Sequence, residues 1–220
     1  RLCGAPPVYP SVNRTLTDKV VILDSITTLR ASHPQGVDTS YPCNSTASQP
    51  SIYGDLEATQ NAFLRTIVGD TTSEGGEKSP EYYSWLLDRR LWQKGVAGVW
   101  TYGIGLHNFM TRNRDLRLCG YTLEELILGL NKWVSRCRLT LGENFYNPSE
   151  TQREALSWAI NAMAWRRIFG TKHGRIGMGP CGAEVGDSIV IVRGCNTPLV
   201  LRRSGDGWKL VGECYTHGVM

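Results

Sequence analysis

The chain is 220 residues long, 41% hydrophobic and 20% charged, with a formal net charge of +4. That is enough apolar material for a buried core in one large domain, or in a domain with a smaller appendage. The basic residues are scattered, so specific nucleic-acid binding is not expected, and no apolar run nears the roughly 18 residues of a bilayer span, so no membrane association is expected.

The sequence opens at Arg1 with neither methionine nor a signal-peptide pattern, and so reads as a piece of something longer. Its seven cysteines (Cys3, Cys43, Cys119, Cys137, Cys181, Cys195, Cys214) form no C-x-x-C pair. An odd count in a chain of this size fits free thiols in a reducing compartment, hence a cytoplasmic protein. Asn13-Arg14-Thr15 and Asn44-Ser45-Thr46 match the glycosylation acceptor pattern, which short stretches often meet by chance. His33, His107 and His173 have no partner at ligand spacing, so no metal is expected, and no cofactor.

Residues 1 to 52 are rich in Pro, Ser, Thr and Asn around one apolar run, Val20 to Leu23 with Ile26 beyond it, which reads as a buried strand. Asp55 caps an expected helix to Val68, with Leu56, Phe63 and Ile67 on its apolar side. After a polar loop from Asp70, Ser79-Pro80 begins a second helix with Tyr83, Leu86, Leu87 and Leu91 as its stripe. Gly95 to Met110 holds a Gly103-x-Gly105 pair. It lacks the third glycine of a nucleotide loop and reads as a glycine-loosened packing segment.

Thr122-Leu123-Glu124-Glu125 is a capping box ahead of a helix with Leu123, Leu126, Ile127, Leu130, Val134 and Cys137 on one face. Arg112, Arg114, Arg117, Arg136 and Arg138 beside it read as a solvated face. Asn147-Pro148 opens a further helix to about Phe169, apolar nearly all round and therefore central. Arg166 and Arg167 stand in its last turn and Gly170 at its C′ position. Most of the tryptophans and tyrosines fall on helix stripes and read as core.

From Gly174 the pattern changes to short β-branched runs between glycine turns, about four antiparallel strands, with Gly205-Asp206-Gly207 as a hairpin signal. The same stretch reads G-x-I-G-x-G-P, G-D-x-I, P-x-x-L-R and L-V-G-E-x-Y-x-H-G. In this it resembles the C-terminal region of fungal heterokaryon-incompatibility proteins, the HET-domain family, without the HET domain itself. The positions that carry the resemblance are Gly177, Gly179, Pro180, Gly186, Asp187, Arg202, Gly212, Glu213, His217 and Gly218, mostly turn formers. Asp187 reads as bonding backbone amides in its turn, Arg202 and Glu213 as a cross-strand ion pair, and His217 as hydrogen-bonding within the barrel.

The expected fold is α+β: a mostly helical body over residues 1–170, with a loop-rich, strand-containing start, then a small antiparallel β-sheet or SH3-like barrel over 171–220. The resemblance implies a non-catalytic recognition or regulatory region, acting in allorecognition and programmed cell death through a protein partner or its own upstream domain. Two other classes stand beside it. One is a thiol-dependent hydrolase or transferase with Cys181 as nucleophile, His217 as base and Asp187 as orienter. The other is a small-ligand sensor with a pocket between body and barrel.

Overall fold

A computed structural model describes residues 19–29, 49–71, 83–87, 109, 112–113, 115–128 and 150–219. The Val20 run opens a ten-residue strand, β1 (Val20–Leu29). Helix α1 (Leu56–Ile67) follows, and Asp55 caps it, its side chain accepting the Ala58 N–H at 2.9 Å. A short 3-10 turn spans Ser84–Leu87. Next comes a small hairpin of β2 (Arg117–Leu118) and β3 (Tyr121–Thr122), its two turn residues Cys119 and Gly120 both at positive φ, as a tight primed turn demands. The capping box then starts helix α2 (Leu123–Leu128): Glu125 N–H donates to Thr122 Oγ1 at 3.2 Å, and Thr122 N–H to Glu125 Oε2 at 2.7 Å.

Helix α3 (Glu150–Met163) leads into a run of strands. These are β4 (Arg166–Thr171), β5 (Ile176–Pro180), β6 (Ser188–Val192), β7 (Leu199–Ser204), β8 (Gly207–Glu213) and β9 (Tyr215–Thr216). With β1 they form one seven-stranded antiparallel sheet in the order β8-β7-β6-β1-β4-β5-β9. Strands β8 and β9 stand at opposite ends of that order, yet only Cys214 separates them in sequence. One stretch of chain therefore pairs first with β7 and then with β5, and the sheet closes into a barrel.

This corrects the expected architecture. Among the described residues the fold is α+β but mostly β, not mostly helical: its three α-helices, of 12, 6 and 14 residues, lie beside a seven-stranded sheet. Nor is the sheet a small unit of the last fifty residues, since β1 lies between β6 and β4. The helix expected to reach Phe169 stops at Met163. Trp165 takes positive φ, and Arg166–Thr171 pairs with β5 and β1. Gly170 is thus a mid-strand residue and not a helix C′. Local helical patterning lost there to a hairpin with β5 and to pairing with β1, far upstream in sequence. Leu91, the Gly103-x-Gly105 pair, the Ser79-Pro80 and Asn147-Pro148 starts, the helix beyond Leu128 and both glycosylation tripeptides lie outside the described residues.

Two cores share strands β4 and β5. Inside the barrel, Ile26, Leu29, Phe169, Ala183, Ile189, Val200 and Cys214 pack together. Outside it, Ile168, Ile176 and Met178 meet Phe63, Ile67, Leu126, Leu156 and Ile160 from the helices. The Phe169 ring crosses β5 at Gly177 and Gly179, where a Cβ at either position would press on it. The G-x-G-P signature is therefore a packing device. No helix among the described residues is long and apolar enough to cross a membrane.

Candidate functional site

Asp187, just before β6, has its side chain almost wholly buried. It accepts the Glu184 N–H at 2.8 Å and two bonds from Arg202 on β7, from Nε at 2.8 Å and from Nη2 at 2.9 Å. Arg202 also reaches the Gly182 carbonyl at 2.7 Å and Glu184 Oε1 at 2.8 Å. The hydrogen bonds to Asp187 raise the Arg202 pKa further, so this fork stays charged. The expected Asp187 turn is present, but Arg202 does not pair with Glu213, which bonds Arg166 at 2.9 Å. Gly186, at positive φ, donates its N–H to the Ile26 carbonyl, and Gly218 forms the turn after β9. Gly212 lets the Pro180 side chain lie against it.

The thiol reading has no geometry behind it. Cys181 follows Pro180 at the end of β5, whereas the His217 N–H bonds the Ile176 carbonyl at its start. Five residues of strand separate the two backbone positions by about 16 Å. Asp187, the third member, is engaged by Arg202. His217 instead bonds the Tyr215 hydroxyl through Nδ1 at 2.8 Å. Tyr53 joins this group: its hydroxyl accepts the Ile176 N–H at 2.9 Å and donates to the His217 carbonyl at 3.2 Å. Burial lowers the His217 pKa and pushes Tyr53 up to about 12, while burial and then the Asp70 charge raise Tyr215. Two described thiols are buried, and that pushes Cys119 and Cys214 up to about 12, so neither is a thiolate at neutral pH.

Sequence reasoning missed one constellation. His173, isolated in sequence, sits on the β4–β5 turn with Nδ1 2.9 Å from Asp24 Oδ1 of β1. Asp24 has no exposed side-chain surface, and it also accepts the Ser25 N–H at 2.9 Å and Arg175 Nη1 at 3.1 Å. Burial alone would raise its pKa. Hydrogen bonds from Thr171, the Ser25 amide and His173 together overcome burial and hold the carboxyl below its usual range. The turn is itself pinned: Gly174 has φ +74°, and a Cβ there would collide with the Pro50 carbonyl. A lone aspartate within an apolar β-branched run was the available signal, because such a residue needs buried partners.

The exposed apolar side chains offer the other kind of site. Val20, Val21 and Ile22 at the start of β1 are 41%, 61% and 57% exposed, and Ile191 beside them is 37% exposed. Trp208 and Leu210 on β8 are also open, with the Arg203 guanidinium 5.2 Å from the Trp208 ring. Among the described residues no three His, Cys, Asp or Glu side chains gather to hold a metal ion.

No curated protein and no solved structure matches the chain. No HET domain is detected in it. Residues 127–220 match the family model of the Het-6 beta-barrel domain, a domain found in fungal heterokaryon incompatibility proteins.

Proposed function

We propose that the chain is a non-catalytic recognition or regulatory region of a fungal heterokaryon-incompatibility protein. In this reading it works in the cytoplasm, engages a protein partner or an upstream domain of its own protein, and contributes to allorecognition and programmed cell death. The carrying observation is the match of residues 127–220 to the Het-6 beta-barrel domain. The disposition of Asp187, Arg202, Glu213 and His217 supports it, because each side chain is held in a bond that braces a turn or strand.

The test is genetic. Fungal strains carrying different alleles of this chain are fused, and cell death is scored by dye uptake in the fused compartments. Death is expected to follow the allele pairing and to disappear when the gene is deleted from one partner. Death independent of the alleles, or none in any pairing, would overturn the reading.

A further inference from the structure

Among the described residues, strand β1 is paired on both sides only over part of its length. Its first half lies against β6, with Val20 opposite Val192, Val21 opposite Ile191 and Ile22 opposite Val190. On the other side pairing with β4 begins only at Ile26, opposite Thr171. Beyond Thr171 the chain turns away into the Lys172–Gly174 turn, whose last backbone-to-backbone bond to β1 is Lys172 N–H to the Ser25 carbonyl at 2.9 Å, and whose His173 holds the Asp24 side chain. The Arg193 N–H reaches the Lys19 carbonyl, so in an alternating ladder Lys19 and Val21 aim their backbone groups at β6. Those of Val20 and Ile22 then face the open side, where no described residue pairs with them. Their side chains, with Val21, form the exposed apolar run at the start of β1.

An open edge with β-branched, solvent-facing side chains is a template for another strand. Natural proteins usually blunt such an edge with proline, a bulge or a covering element, and here the bulge falls only after Ile22. The charge around the edge selects what can pair. Arg193 flanks one end and Lys172 the other, while His173 and Arg175 are paired with Asp24. The one acid there among the described residues, Asp24, is buried and fully engaged. A second copy would bring two such cationic rims together. We propose that the Val20–Ile22 edge is a β-augmentation site for an extended apolar segment of a partner flanked by acidic residues. This rests on the reading of the chain as a recognition module and names its contact surface.

The test uses the full chain and a short N-acetylated fluorescent peptide of alternating valine and threonine with glutamates at both ends. The peptide binds, and hydrogen exchange at the Val20 and Ile22 amides slows. Methylating the pairing-face nitrogens of the peptide, or replacing its glutamates by lysines, weakens binding by at least about tenfold. Ile22→Pro does the same, and because its N–H faces the open side, no ladder bond within the protein is lost. Equal binding of the methylated peptide overturns the proposal on unaltered protein. So does protection of the Ile22 amide before any peptide is added, and so does a concentration-dependent dimer that Ile22→Pro abolishes. If no peptide binds while allele-dependent death persists, the edge fails and the recognition reading stands. Edge-dependent binding without allele-dependent death has the reverse meaning.

Discussion

Asp24 stays charged with no exposed side-chain surface because three elements donate to it at once: Thr171 from β4, Ser25 from its own strand, and His173 and Arg175 from around the β4–β5 turn. Its carboxyl is held below its ordinary value of 3.8, whereas burial holds the His217 imidazole below 6.5. Both shifts tilt stability the same way. The unfolded chain takes up a proton at His217 first, so that contribution is complete above pH 6.5 and declines as the pH falls toward the lower folded value. Asp24 contributes fully above 3.8 and is lost as the pH falls through its own depressed value. Urea midpoints measured from pH 8 to pH 3 should therefore fall in two limbs. His217→Gln should flatten the upper limb and Asp24→Asn the lower. A midpoint that rises on acidification across the upper limb would contradict the burial of the neutral imidazole. None of this was legible locally, since 149 residues separate Asp24 from His173 and only the β1–β4 pairing joins them.

Devices that close within one turn of chain were legible at the scale of elements. The Asp55 cap and the Thr122–Glu125 box each join residues three apart and stand as the sequence implied. The boundary between α3 and β4 was hidden because Arg166–Phe169 can continue a helical stripe just as well as it can alternate. What decides it is the fit of Phe169 into β5. Ile168 turns to the helices and Phe169 to the barrel interior, over the gap that Gly177 and Gly179 leave. Gly177→Ala would drive a methyl into the Phe169 ring and the Tyr215 carbonyl at once. It should cost about 2–3 kcal/mol of unfolding free energy through overpacking. Gly182→Ala, whose Cβ would make only ordinary contact with Val211, is the control and should cost less than about 1 kcal/mol. Equal midpoints for the two variants would show that β4 does not lock against β5 through that ring.

At the scale of the molecule, the glycine-rich tail was readable as strands of a sheet or barrel, but the strand that completes the sheet was not assigned to it, because that strand lies far upstream. β1 separates β6 from β4, gives Ile26 and Leu29 to the barrel interior, and accepts pairing from both neighbours. It lies outside the span 127–220 that matches the Het-6 beta-barrel domain. A fragment of residues 127–220 would keep β4 to β9 and their connections yet present two internal sheet edges and an unfilled core to water. Such a fragment should show a poorly dispersed amide spectrum and bind a hydrophobic dye. Adding a synthetic peptide of residues 19–29 should restore dispersion, with saturation at one peptide per fragment, because the apolar surface and ladder bonds of β1 suffice to re-form the sheet. A peptide with Ile26 and Leu29 replaced by serine should fail to do so, since it offers the same backbone without the core side chains. If the fragment alone gave a dispersed spectrum that the peptide left unchanged, β1 would be an accessory to a barrel that closes without it.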